Sequence, residues 1–201
     1  MARAKLVSTH KPSSPPGGGD GGEGSTSPPV LNQPSPLAPP PGGEGKSGLA
    51  WLWLAALVLV LDQITKVLVM NQLTAYQEII PLTGFFNLVH VHNTGAAFSL
   101  FADQPGWQRG FFMTVGVVAS GLMLYLMRQT RGRPGFSIAL ALILGGAIGN
   151  VIDRALYGHV IDFLDFHVAG WHWPAFNVAD SGITVGAVLL VLDSFRKTDK
   201  A

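Results

Sequence analysis

Four long apolar runs leave this chain few ways to fold. They cover residues 49–70 ("LAWLWLAALVLVLDQITKVLVM"), 111–127, 136–152 and about 176–192. Each matches the 17–25 residues with which a helix crosses a bilayer. Buried helices of a soluble core are the alternative. Charged residues, however, make up only 12% of the chain, against about 25% in soluble domains. Mean hydropathy is +0.34 even though the first 46 residues are polar. The runs therefore predict a membrane α-helical fold, a bundle of four transmembrane helices.

Residues 1–46 are rich in proline and glycine ("KPSSPPGGGDGGEGSTSPP", "NQPSPLAPPPGGEGK"). They are expected to form a disordered tail, with residues 47–201 as one membrane domain. No apolar run opens the chain, so no secretory signal is expected. The first helix is too long for a cleaved signal and should remain as an anchor. Arg3, Lys5, Lys11 and Lys46 precede the first run, Arg128, Arg131 and Arg133 separate the second from the third, and Arg196, Lys197 and Lys200 follow the fourth. The other two connections carry only Arg109 and Arg154, at helix ends. By the positive-inside rule both termini and the middle connection are cytoplasmic.

The outer connections, about 71–108 and 153–175, carry strand signals. "NLVHVH" runs into an "NTG" turn, and "HVIDFLDFHV" alternates. Alternation puts Val160, Asp162, Leu164 and Phe166 on one face, and His159, Ile161, Phe163, Asp165 and His167 on the other. Asp165 then reads as solvated. Backbone groups near lipid need partners, so the strands should pair as a small extracytoplasmic β-sheet. Trp107, Trp171 and Trp173 fall where an aromatic belt would lie.

Polar residues gather at the predicted outer ends of the helices. Asp180 interrupts the last run, at a cost of roughly 2.5–3.5 kcal/mol on insertion scales. With Asn177, Ser181 and Thr184 it forms an i, i+3, i+4, i+7 stripe that must face the bundle interior. Asn150, Asp153 and Arg154 fall in the expected last turn of the third helix, with Asp153 and Arg154 reading as an ion pair or helix-end network. Asp62 and Lys66 are spaced as a favourable intrahelical pair, with Lys66 near enough the outer end to snorkel. Gly145-x-x-x-Gly149 and Gly182-x-x-x-Gly186 allow close helix packing.

Asp162 lies among apolar neighbours, which raise a carboxyl pKa above about 3.9. If Asp162 and Asp180 converge, they share one proton. Such a pair hydrolyses amides without a metal: one carboxylate deprotonates water, and the other carboxyl protonates the carbonyl oxygen and then the leaving nitrogen. The chain has no cysteine, which removes thiol chemistry. A net charge of +1 offers nothing to nucleic acid.

Three rivals remain open at this level. A metal protease would gather His90, His92, His159, His167 and His172, although no H-E-x-x-H motif is present. Ser181 with Lys66 would suit a Ser/Lys hydrolase. Intramembrane acids also serve proton-coupled carriers, for which no inverted repeat is visible.

The ordered boxes "DQITK", "HNTGAAFSLF", "GGAIGNVIDRALYGHVIDF" and "FNVADSGITVG" closely resemble lipoprotein signal peptidase (signal peptidase II), a bacterial inner-membrane aspartyl protease family. The resemblance covers about residues 51–196. It implies cleavage of a lipidated prolipoprotein just before a diacylglyceryl-modified cysteine. It implies a dyad of Asp162 and Asp180, with Asn93 lining the site. Asn150, Asp153, Arg154 and Asn177 would hold the dyad and the substrate backbone, and Asp62 and Lys66 would support the fold. It also implies a membrane-surface cradle of strands, an intramembrane site reached by membrane lipid, a monomer, and no cofactor or metal.

Overall fold

The computed structural model describes residues 45–95 and 106–198. The expected tail up to residue 44, the "AAFSLF" part of one box, and Lys200 lie outside the described residues, as do the side chains of Arg196 and Lys197. A 3-10 turn, Gly48–Trp51, leads into α1 (Leu52–Gln72). Three more helices follow: α2 (Trp107–Gln129), α3 (Pro134–Tyr157) and α4 (Val178–Thr198). All four are long and apolar enough to cross a membrane. Their outward faces carry the apolar side chains that water would reject, such as Leu57, Leu61, Ile64 and Leu68 on α1 and Val185, Val188 and Leu192 on α4. Lipid is the solvent that suits them.

The third helix is the axis of the bundle. Ala139, Leu140, Ala141, Leu144 and Ala147 are all buried, and α3 packs on each of the other three helices. Small residues make this possible. A Cβ on Gly146 would stand 2.3 Å from the Ala179 carbonyl oxygen of α4, and one on Gly145 2.5 Å from that of Ala55 in α1. The glycine spacing expected to bring helices together does so.

Two helix ends differ from expectation, and both matter for the site. The apolar run of α3 fades at Ile152, but its backbone stays helical to Tyr157, where Gly158 takes a left-handed φ of 84° and turns the chain. Asn150 and Asp153 thus lie before the last turn, and Arg154 alone falls within it. At α4, Asn177 is not the first residue of a helical stripe. It precedes the helix and caps it, its Oδ1 accepting the Asp180 N–H at 2.9 Å.

Four antiparallel strands form one sheet in the order β1 (Ile79–Thr83), β2 (Phe86–Asn93), β3 (Val160–Val168) and β4 (Trp171–His172). The pairing of the two expected strands is present, with Val91 opposite Asp162 and Asn93 opposite Val160. β1 and β4 were not expected. The two-residue β4 exists because Ala169 and Gly170, both at positive φ, fold the chain back. Alternation fails at the start of β3, where Val160 to Phe163 are all buried, covered on both faces.

Asp165 is a correction. It is 6% exposed, not solvated, because Asn87 Nδ2 donates to it at 2.8 Å and His172 Nδ1 lies at 2.9 Å. Asp165→Ala strips two groups of their partner. It is expected to cost about 1–3 kcal/mol, read as a lower melting temperature with cleavage at the parental rate.

Candidate active site

The chain ahead of α4 delivers Asp180 to Asp162. Phe176 bonds the backbone of β3 in both directions: its N–H donates to Leu164 O at 3.1 Å, and its carbonyl accepts the Leu164 N–H at 2.8 Å. The next residue, Asn177, is fully buried and holds both acids. Its Oδ1 caps the helix at Asp180, while its Nδ2 donates to Asp162 Oδ1 at 2.7 Å. Asn93 Nδ2 donates to the other Asp162 oxygen at 3.0 Å. On the facing helix, Asn150 Nδ2 donates to Asp180 Oδ1 at 2.8 Å.

Asp162 is buried at the head of β3, and its pKa is pushed up to about 7. Desolvation is the largest cause and the Asp180 charge the second. Hydrogen bonds from Asn93 and Asn177, and the charge of Lys66, oppose the rise. The apolar neighbourhood read from the sequence is therefore joined by two hydrogen-bonding amides and the charge of Lys66.

A cavity of about 540 Å³ opens beside Asp180, and Asp162 lies behind its lining. Asp180, Asn93, Asn150 and Arg154 give it a polar end, and Val160, Phe176, Ile183 and Val185 an apolar wall. Arg154 donates to the Gly95 carbonyl at 2.7 Å and to Asn150 O at 3.3 Å. Of the two alternatives the sequence left, the Asp153–Arg154 ion pair is not made, and Asp153 joins a network. Asp153 turns instead to Lys66, at 2.7 Å, which also lies 2.7 Å from Asp62. Lys66 is only 1% exposed and does not snorkel, because two carboxylates hold it inside the bundle. Sequence reasoning passed over Gln63, next to Asp62 in "DQITK". Its Nε2 donates to Asp153 Oδ1 at 3.0 Å and to Asp62 Oδ2 at 3.2 Å.

The alternative chemistries find little geometry. Ser181 donates to the Asn177 carbonyl at 2.9 Å, whereas the ammonium of Lys66 is bound to Asp62, Asp153 and Asn150. The two are not joined as nucleophile and base. The histidines split into two groups. His92 stacks on His159 and meets His90 at 3.2 Å, and His167 stacks on His172. Among the described residues no three His, Asp or Glu side chains converge as a metal-ligand set.

Comparison with known proteins identifies the family. A family model described as signal peptidase (SPase) II matches residues 54–196. A lipoprotein signal peptidase of Janthinobacterium sp. (strain Marseille) is 56% identical over 154 residues, covering 77% of this chain and 93% of that protein. One from Paraburkholderia phytofirmans is 58% identical over 147 residues, 73% and 85% of the two chains. A solved structure titled as a bacterial membrane enzyme determined by the in meso method superposes with a TM-score of 0.68 at 27% identity, covering 75% of this chain and 90% of that one. Four helices long enough to span a membrane, a buried Asp162 tied through Asn177 to a half-buried Asp180, and these relatives lead to one conclusion: the chain belongs to the signal peptidase II family, aspartic peptidases that remove signal peptides from prolipoproteins.

Proposed function

We propose that Asp162 and Asp180 are the dyad with which this membrane peptidase cuts its prolipoprotein just before a diacylglyceryl-modified cysteine. The observation that carries the reading is Asn177, one buried side chain bonded to Asp162 and to the Asp180 backbone. Two carboxyls tied through one amide, near enough for the Asp180 charge to raise the Asp162 pKa, hold one proton between them in a poorly hydrated site. The ionised member removes a proton from water as the oxygen attacks the scissile carbonyl. The protonated member gives its proton to the carbonyl oxygen. When the tetrahedral intermediate collapses, the C–N bond breaks, the nitrogen takes the proton drawn from water, and a hydroxyl proton returns to the other carboxylate as the C=O bond re-forms. The pair titrates as a unit, so roles are assigned to the dyad and not to either acid.

Asn93, Asn150 and Asn177 fix the carboxyl oxygens, and Arg154 faces the cavity to meet the substrate backbone. Asp153, Asp62 and Lys66 hold the helices beneath them. The apolar cavity wall of Ile183 and Val185 suits a lipid chain entering from the bilayer. The distribution of lysine and arginine supports an inner-membrane protein with both termini cytoplasmic and the dyad near the periplasmic face. Residues 47–201 act as a monomeric peptidase domain, and residues 1–46 are a cytoplasmic tail.

The purified protein, given a diacylglyceryl-modified precursor and its unlipidated twin, is expected to cleave only the first. Equal cleavage of both would remove lipid recognition from the account. The pH dependence has a defined sign. The dyad needs one proton, and the raised pKa of about 7 at Asp162 marks where the pair gives it up, so kcat falls as pH rises through that value. The same shift favours the protonated folded state. Its contribution to stability is full below the unfolded pKa of about 3.8 and is lost as pH rises toward about 7. Cleavage rates and melting temperatures across pH 5–9 check both trends.

A further inference from the structure

Lys66 stands at the centre of a branched network that reaches both aspartates. Its ammonium has three protons and three partners: Asp62 Oδ2 at 2.7 Å, Asp153 Oδ2 at 2.7 Å and Asn150 Oδ1 at 3.2 Å. The two carboxylates reach onward in matching ways. Asp62 Oδ1 accepts the N–H of Ala179 at 2.8 Å, and Asp153 Oδ2 accepts the N–H of Ile161 at 3.2 Å. Ala179 directly precedes Asp180, and Ile161 directly precedes Asp162. We propose that Lys66 is a positioning residue for the reaction, fixing both members of the dyad at once through the two carboxylates that clamp the backbone just ahead of each. The inference rests on the dyad reading and deepens it.

A second effect follows from donor and acceptor chemistry. Lys66 can only donate, so Asn150 must turn its Oδ1 toward the ammonium. Its Nδ2 is then left to donate to Asp180 Oδ1, at 2.8 Å. Asn177 is oriented likewise, since its Oδ1 accepts the Asp180 N–H and its Nδ2 faces Asp162. The cation thereby helps set the direction of the amide that meets Asp180, with that one amide standing between it and the carboxyl. Without it, Asn150 Oδ1 keeps only the long contact from Asn177 Nδ2, at 3.5 Å, and the amide is held less firmly against Asp180. The positive charge also lowers the proton affinity of Asp162.

A purely structural lysine would do no more than neutralise buried acids, and the two roles separate in a charge-balanced variant. Lys66→Met/Asp62→Asn removes one positive and one negative charge, so the buried cluster keeps its net charge while losing its hub. Positioning predicts a chain that inserts and melts close to the parent, with kcat lower by about 10²-fold and KM nearly unchanged on the diacylglyceryl-modified precursor. Lys66→Met alone should in addition shift the alkaline fall of kcat to higher pH, because a nearby positive charge is gone. If the double variant fails to insert, Asp153→Asn takes its place. It weakens the clamp on Ile161 while Lys66 stays paired with Asp62, and the same slow turnover at constant KM is expected.

Parental kcat and pH profile in the inserted double variant, or in Asp153→Asn if that is the one that inserts, would overturn the proposal. Asp180→Asn run alongside separates the layers. If it is inactive while the Lys66 variants are unimpaired, only the positioning role fails. If it cleaves, the dyad reading falls, and the positioning role with it.

Discussion

Asp180→Asn is expected to leave a chain that inserts and folds but has lost cleavage by on the order of 10³-fold or more. The substitution is close to isosteric and suits its surroundings. Asp180 Oδ1 accepts from Asn150, and the amide oxygen of an asparagine can do the same. Among the described residues the other Asp180 oxygen accepts no hydrogen bond, so an NH2 group there displaces nothing. What disappears is the ionisable group, and with it the shared proton. Asp162→Asn should be equally inactive but less stable. Both Asp162 oxygens accept from amide NH2 groups, of Asn93 and Asn177, so an asparagine must set a donor against a donor. That conflict costs about 1–3 kcal/mol. Cleavage of the lipidated precursor, together with thermal unfolding in detergent, distinguishes loss of chemistry from loss of fold. Substantial activity in Asp180→Asn would mean the aspartate is not part of the machinery.

Gly146→Val is the second large effect, and it acts without touching the dyad. Its Cβ would lie 2.3 Å from Ala179 O and 2.8 Å from Ile183 Cγ1. The first of these is backbone and cannot rotate away, so α4 must move off α3. Overpacking of this kind costs about 1–3 kcal/mol. The chemistry suffers more than the stability, since Ala179 directly precedes Asp180. A displacement near 1 Å at a reacting group can cost about 10²-fold in rate. Gly121→Ala is the natural control, since a Cβ there meets nothing within 4 Å. Melting temperature and kcat for the two variants measure the effect directly.

What the sequence revealed and what it concealed follow from the range of the interactions. The four helices were legible because a long apolar run is a local signal that needs no partner to be recognised. The Asp62–Lys66 pair was legible for the same reason, being one helical turn apart. Its third member was hidden. Asp153 comes from another helix, and beside Arg154 it invited a sequence-local pairing that the fold does not make. Asp165 looked solvated because its partners are Asn87 on a neighbouring strand and His172 beyond a two-residue turn. The side of the strand could be predicted, but not what would cover it. Asn177 was correctly placed beside Asp180 but read as helical. An asparagine just before an apolar helix, three residues ahead of an acid, is also the signature of a helix cap, and the cap is what lets one amide serve both aspartates. Gln63 carried no signal of its own, because a glutamine on a membrane helix declares nothing until the acids it serves are in place.

The proton held by the two aspartates can be observed directly. Infrared spectroscopy of the protein in detergent resolves the C=O stretch of a protonated carboxyl. The account predicts such a band in the parent chain, titrating away near pH 7 and lost or displaced in both Asp162→Asn and Asp180→Asn. A parent chain with no protonated carboxyl above about pH 5, or a band unmoved by either substitution, would contradict it.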